Sequence, residues 1–471
     1  MSAWSYILIA IYPVALVCAA RAILRSRTPQ GATAWTVALL SFPFVVVPLY
    51  VVFGRSKFNG YRIKRRLLDH RAREELARIE KIVSEEVPAP EGLAELAAAV
   101  MPSQQIGFTA DNKVSLLVNA QSAYPSMLEE IERAKDYIFF QFYIFRCDAT
   151  GRSFVDALVR KARAGVEVCF LYDEIGSKIS KSFLRRMQDA GVRVGRFNTT
   201  KGPKNRFQVN FRNHRKILIV DGKVAFTGGL NIGDEYRGLD PKIGPWRDTH
   251  IRVEGSAVMA IQTSFAKDWY WSQGEMIQGR WKAHSPEGGN ATVLALHTGP
   301  VDDFRTCLLA HVALINAAQT RLWIATPYLV LPDSLSDALS LAALRGVDVR
   351  LLVPSRSDNV LVEFASRVYE QELLTYGVRI FRYDGGFLHQ KVMLIDSSLG
   401  VVGSVNLDYR SMFLNFELSV MCTDSIFVHE MGQMLGEDFS RSTELFAEHF
   451  KKVSFARRLL QRTADLFAPI L

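Results

Sequence analysis

The chain has 471 residues, 49% hydrophobic and 22% charged, with a formal net charge of +9, long enough for two or three domains and apolar for so basic a protein. Such a charge favours an anionic partner, either nucleic acid or an acidic membrane surface, and does not choose between them. The five cysteines, Cys18, Cys147, Cys169, Cys307 and Cys422, are scattered with no C-x-x-C pair, so neither a disulfide framework nor a zinc site is implied.

The chain opens with two uncharged apolar runs, Ala3 to Ala20 and Gly31 to Phe53, separated by a segment carrying Arg21, Arg25 and Arg27. Each is long enough to cross a hydrocarbon core, so residues 1–54 are expected to form a membrane hairpin of two spans. A signal peptide fits less well: the first run lacks a basic leader, has Pro13 in its middle and is followed at once by the second run. Arg55, Lys57, Arg62, Lys64, Arg65 and Arg66 follow the second run, against three basic residues in the loop. That bias puts both termini, and with them the globular part, on the cytoplasmic side of the membrane. Residues 55–90 read as a basic amphipathic linker helix, with Leu67, Leu68, Leu76, Ile79 and Ile82 as its apolar stripe, closed by Pro88 and Pro90.

From there strands and helices alternate twice. Residues 91–290 predict a strand from Tyr137 to Phe145, a helix from Ser153 to Ala164, a strand from Val166 to Tyr172, and a strand at His214. Residues 291–471 repeat the order, with Leu322 to Tyr328, Ser334 to Arg345, Val347 to Val353, Val378 to Phe381 and a strand at His389. The fold class is therefore α/β: two similar halves, each a mixed sheet flanked by helices, facing each other. The tail from Ser440 to Leu471 is expected to form an amphipathic helix that packs on the body.

Within each half lies one reworded string. His214 is followed by Lys216, Asp221, Gly228-Gly229 and Asn231; His389 is followed by Lys391, Asp396, Gly403-Ser404 and Asn406 at the same spacings, 175 residues on. One such string is compatible with an ordinary packed histidine; two in register are not. Residues two apart on a strand share a face, so each imidazole projects beside its lysine. Lysine and the trailing carboxamide suit the non-bridging oxygens of a phosphodiester, while histidine attacks phosphorus or protonates the leaving oxygen. Each string supplies half of that chemistry, and two facing copies supply a nucleophile and an acid.

The doubled His-x-Lys-(x)4-Asp pattern resembles the phospholipase D superfamily, and its surroundings are similar to the bacterial cardiolipin synthase branch. The specific stretches are Arg27-Thr28-Pro29-Gln30-Gly31 before Trp35, Trp246-Arg247-Asp248-Thr249-His250, and Asn406-Leu407-Asp408-Tyr409-Arg410-Ser411 leading to Asn415 and Glu417. The resemblance implies a catalytic set of His214, Lys216, Asp221, His389, Lys391 and Asp396, with the two aspartates fixing the loops. It implies orienting carboxylates at Asp248 and Glu417, and Asn231, Asn406, Arg215 and Ser404 are expected to bind substrate. No metal or cofactor is called for, since lysines supply the positive charge. The expected reaction joins two phosphatidylglycerol molecules into cardiolipin, with other anionic phospholipids and the membrane as partners. Hydrolysis by a membrane phospholipase D is the alternative, and nucleic acid is disfavoured because a nuclease needs no apolar N-terminal runs.

Overall fold

The computed structural model describes residues 3–26, 28–54, 87–104, 107–197, 210–277, 279, 281, 284–302, 304–451 and 453–470. The expected linker helix up to residue 86 lies outside the described residues.

The first apolar run is a helix, α1 (Ala3–Arg25), but the second is two, α2 (Pro29–Ser41) and α3 (Pro43–Phe53). Thr28 caps α2, its hydroxyl accepting from the Gly31 amide at 3.1 Å. The break falls at Phe42 (φ −134°, ψ 57°), because Pro43 offers no N–H and its ring keeps the preceding residue out of helical geometry. This corrects the expectation of two spans. At about 20 and 16 Å, α2 and α3 are each shorter than a hydrocarbon core of roughly 30 Å, and among the described residues no helix is long and apolar enough to cross a membrane. The three helices pack through Ala15, Ala19, Ala22, Leu39, Val47 and Tyr50, where small side chains on α1 permit close approach. Leu16, Val17, Leu24, Phe42 and Val45 face outward and are exposed.

Among the described residues nine strands precede residue 290: β1 (Thr109–Val118), β2 (Tyr137–Phe142), β3 (Glu167–Asp173), β4 (Arg193–Phe197), β5 (Arg212–Asn213), β6 (Lys216–Val220), β7 (Val224–Gly228), β8 (Trp246–Arg247) and β9 (Thr249–Glu254). The remainder are β10 (Ala291–Thr298), β11 (Arg321–Ala325), β12 (Leu329–Val330), β13 (Asp348–Pro354), β14 (Arg379–Tyr383), β15 (Phe387–Leu388), β16 (Val392–Ile395), β17 (Leu399–Gly403), β18 (Leu407–Asp408), β19 (Asn415–Cys422) and β20 (Ser442–Leu445). Among the described residues sixteen of these build one continuous sheet, while β12 with β18 and β8 with β15 form two separate two-stranded ladders. The order of the large sheet runs β4-β3-β2-β6-β7-β9-β1 and then, reversed, β10-β19-β17-β16-β11-β13-β14, with β20 on the far edge. In each half three strands are parallel, β2-β3-β4 and β11-β13-β14. Helices Ala149–Arg163 and Lys181–Asp189 cross over in the first half, Asp333–Leu344 and Val360–Thr375 in the second, as parallel pairing requires. The inner strands are continuous apolar runs because helices cover both faces; all five residues of β6 are buried.

The halves are welded at β1. Residues Lys113–Val118 pair with β9, whereas Thr109 and Asn112 pair with Val293 and Ala291 of β10 across a bulge. At the bulge Asp111 adopts φ 56°. The buried Asn112 side chain staples this joint: Nδ2 donates to Thr109 O at 2.9 Å and Ala291 O at 3.2 Å, and Oδ1 accepts from the Ala257 amide at 2.8 Å. One core cluster runs through both halves, from Leu96 and Phe139 to Leu394 and Val420. The single helix expected from Ser440 to Leu471 is instead β20, a short helix Glu448–Lys451 and the helix Phe455–Asp465, because Ser442–Leu445 pairs with β14; the last helix packs on the body, placing Ala464 and the following Ala468 against Val330, Val362 and Ala365.

Asn112→Ala strands a buried amide and a buried carbonyl, so it is expected to cost about 1–3 kcal/mol. A lowered midpoint in chemical denaturation would register this; an unchanged midpoint would show that the joint does not depend on the staple.

Candidate active site

The histidines do not lie on strands. His214 and Arg215 occupy the gap between β5 and β6, and His389 to Lys391 the gap between β15 and β16. The two short strands before these gaps leave their own half. β5 pairs in parallel with the start of β19 (Arg212 with Asn415, Asn213 with Phe416), and β15 pairs with β8 (Phe387 with Trp246, Leu388 with Arg247). The register continues for one residue: the His214 amide donates to Phe416 O at 2.9 Å and the His389 amide to Arg247 O at 2.7 Å. Glu417 and Asp248 come next. Each is thereby delivered to the histidine of the opposite half, Glu417 lying 3.0 and 3.1 Å from His214 Nδ1 and Asp248 2.8 Å from His389 Nδ1.

Both carboxylates are fully buried. Glu417 accepts from Ser411 Oγ at 2.8 Å, Asn415 Nδ2 at 3.1 Å and the Ser404 hydroxyl. Asp248 accepts from the Thr249 amide at 2.9 Å and Trp246 Nε1 at 3.2 Å. Burial pushes both pKa values up, but Lys391 and His389 around Asp248, and His214 and Lys216 around Glu417, outweigh it and hold both below the ordinary range. An ionised carboxylate only accepts, so each Nδ1 carries a proton and each Nε2 presents its lone pair. Burial lowers His214 to about 4, against the pull of Glu417, and lowers His389 to about 3, with Lys391 acting in the same direction. Both imidazoles are therefore neutral at pH 7. Burial likewise lowers Lys216 to about 7 and Lys391 to about 8, opposed chiefly by Glu417 and Asp248 respectively.

His214 and His389 line one cleft of about 540 Å³, together with Asn231, Asn406, Tyr143, Arg212, Trp246 and Arg410. Lys216 and Lys391 sit beneath it, each Nζ donating to the carbonyl of its own histidine, Lys216 at 2.6 Å. Asn231 accepts from the Ile144 amide at 3.1 Å and donates to Tyr236 Oη at 3.2 Å. Asn406 donates to Asp408 at 3.1 Å, and its buried Oδ1 has no partner among the described residues.

Four expected site residues lie elsewhere. Asp221 and Asp396, left-handed at φ 53° and 52°, do not line the cleft. Asp221 accepts the amides of Lys135, Asp136 and Tyr137 at 2.8–2.9 Å, and Asp396 those of Gln319, Thr320 and Arg321 at 2.8–3.1 Å. They tie β6 and β16 to the starts of β2 and β11. Arg215 is buried behind the cleft, bonded to Asp268 at 2.7 Å, Thr298 O at 2.9 Å and Glu417 O at 3.0 Å. Ser404 serves Glu417. Sequence reasoning passed over Tyr143, whose ring meets His214 edge-on at 5.0 Å, and the direct role of Trp246, 5.0 Å from His389. Trp246 and Arg410 stood inside strings already singled out, whereas Tyr143 looked like one more residue of an apolar strand. Among the described residues no cluster of three His, Cys, Asp or Glu is arranged to hold a metal ion.

Paired histidines with buried lysines, facing each other across two like halves, define a member of the phospholipase D superfamily. Within it the chain belongs to the family described as cardiolipin synthase, PLD-like domain, which matches residues 127–242 and 311–439; residues 14–55 match the phospholipase D-nuclease N-terminal family. Cardiolipin synthase A of Pseudomonas putida (strain GB-1) is 40% identical over 99% of this chain and 98% of its own. The cardiolipin synthase A of Pseudomonas aeruginosa (strain LESB58) is 42% identical over 99% of this chain and 96% of its own. The crystal structure of phosphatidylserine synthase from Haemophilus influenzae Rd KW20 shares the fold, with a TM-score of 0.59 at 15% identity over 80% of this chain and 100% of that one.

Two expected outcomes follow from this geometry. Both lysine pKa values are depressed, so their charge is present at lower pH and lost as pH rises through about 7 to 8. The kcat/KM for a phosphodiester should fall across that range, and a profile flat to about pH 9 would assign the phosphate-binding charge elsewhere. Arg215→Ala leaves Asp268 buried without its cation and is expected to cost about 3–5 kcal/mol of stability; a variant as heat-resistant as the parent would overturn the structural role given to Arg215.

Proposed function

We propose that this cardiolipin synthase transfers a phosphatidyl group from one phosphatidylglycerol to a second, giving cardiolipin and glycerol through a phosphohistidine. The observation that carries the reading is the pair of imidazoles, each within hydrogen-bonding distance through Nδ1 of a buried carboxylate of the opposite half, converging on one cleft. One Nε2 attacks phosphorus, forming a P–N bond as the bond to the headgroup glycerol breaks. The other imidazole gives its proton to the departing alkoxide. A hydroxyl of the second phosphatidylglycerol then surrenders its proton to that imidazole and attacks phosphorus, breaking the P–N bond. Bonds and protons balance, one phosphodiester replaces another, and no nucleotide is consumed.

The acid must hold a proton that burial disfavours. An incoming phosphodiester brings a negative charge between the histidines and raises the pKa of the imidazole it faces, so proton uptake accompanies substrate binding. Lys216, Lys391 and the carboxamides of Asn231 and Asn406 are assigned the phosphate oxygens, with Arg212 and Arg410 beside them. The exposed apolar faces of α1–α3 support association with a membrane. The basic residues after Phe53 favour a cytoplasmic catalytic part. Residues 91–290 and 291–471 are read as the two catalytic halves.

The test is lipid analysis after incubating the purified protein with bilayers containing labelled phosphatidylglycerol. Cardiolipin and glycerol in equal amounts are expected, and His214→Ala and His389→Ala should each reduce turnover by about 10³-fold or more while the protein stays folded. Phosphatidic acid as the dominant product would make the protein a phospholipase, and substantial turnover by both variants would sink the paired-histidine mechanism.

A further inference from the structure

The helix Phe455–Asp465 packs one way and displays the reverse of what a solvated surface helix displays. Its inner side is small and polar, with Gln461 and Ala464 buried. Facing away from the body are Phe455, Leu459 and Leu466, which are 80%, 57% and 78% exposed. At 3.6 residues per turn these three fall on one stripe, with the exposed Leu460 and Phe467 beside it and Arg458 and Arg462 along its edge. An outward apolar stripe bordered by arginine is the pattern of a helix lying in the headgroup region of an anionic bilayer.

Its position gives the pattern a purpose. The helix packs on Val360–Thr375, whose first turn exposes Val360 and Leu361 while Asn359 and Val362 line the catalytic cleft. The apolar patch therefore borders the mouth of the cleft. The turn Ala468–Ile470 packs on the helix Tyr409–Phe413, and Arg410 of that helix donates to Asn210 O at 2.6 Å. Asn210 in turn donates to Val52 O near the end of α3 at 3.5 Å. A chain of contacts thus links the C-terminal helix, the cleft and the N-terminal helices.

We propose that the C-terminal helix is a second membrane-contact element, which seats the mouth of the cleft on an anionic bilayer; its purpose rests on the reading of the substrate as a bilayer lipid. The net charge of +9 and the flanking arginines favour an anionic lipid surface over a second copy of the chain, which would bring like charges together.

The experiment uses the full-length protein in a Cys147→Ser background, the other four cysteines being buried. An environment-sensitive fluorophore is attached at Leu459→Cys or, as control, at Gln188→Cys on the helix Lys181–Asp189 at the opposite end of the sheet. In vesicles of zwitterionic lipid supplemented with phosphatidylglycerol, a lipid-borne quencher should dim the probe at 459 and leave the probe at 188 unchanged. Equal accessibility of both probes to the quencher, or to neither, overturns the proposal. So does a blue shift at 459 that appears without lipid and grows with protein concentration, which would mark a self-association surface. A second measurement reads function: Leu459→Ser with Leu466→Ser should lower turnover on bilayer phosphatidylglycerol on the order of tenfold and leave turnover on a dispersed short-chain analogue unchanged. Equal losses on both substrates would point to a structural role and sink the idea. Quenching is read without turnover, so it stands or falls apart from the reaction assigned above.

Discussion

The crossing of two short strands is the constraint on which the cleft depends. β5 and β15 are two residues long, and each pairs with the partner half and not with its own. A parallel register is set residue by residue, so once the His214 amide meets Phe416 O, the side chain of Glu417 has one place to go; the same holds for His389, Arg247 and Asp248. A slip of one residue would turn each carboxylate to the other side of its strand. Neither half alone could hold an oriented, neutral imidazole, and the active site exists only as the interface between them.

Building that interface has a cost, since it buries His214, Lys216, Asp248, His389, Lys391 and Glu417 together. Single buried ions would be untenable. Here the charges alternate in sign, and behind each histidine stands a further buried pair: Arg215 with Asp268 at 2.7 Å and Arg247 with Asp438 at 2.7 Å. These pairs anchor the residues flanking the site to the helices Ala257–Gln273 and Ser425–Ser440. The burial bears on the reaction as well. Water is far more concentrated than any lipid hydroxyl, and a phosphohistidine survives to meet a lipid only where bulk solvent is excluded.

The halves repeat one plan with local substitutions that match the carboxylate each must house. Ser404 stands 175 residues after Gly229. Its hydroxyl bonds Glu417, whereas a Cβ at Gly229 would come within 1.9 Å of Asp248 Oδ1. The position is therefore serine where it must reach a carboxylate and glycine where a carboxylate already fills the space. Tyr143 on His214 and Trp246 on His389 complete the difference, and a proton would be held differently on the two sides.

From its residues alone the chain announces the doubled string, the alternation of strands and helices in each half, and the family they resemble, because hydrophobic period and fixed spacing are local properties. The strands expected at Val166 to Tyr172 and Val347 to Val353 appear at Glu167–Asp173 and Asp348–Pro354. Both orienting carboxylates were visible as residues, but not which histidine each serves, since that depends on pairing between strands some 200 positions apart, β5 at Arg212–Asn213 and β19 from Asn415. Arg215 looked like a ligand for phosphate because its charge is legible and its burial is not; only the packing of Asp268 and Thr298 around it decided its role. The second apolar run was long enough to be read as one span until Pro43 interrupted it, a local signal that the absence of charge had overshadowed. The outward stripe of Phe455, Leu459 and Leu466 was periodic in the sequence, yet which side of that helix met the body was settled by Ala464 and Ala468 finding Val362 and Ala365. Periodicity names the faces of an element, and tertiary contact chooses between them.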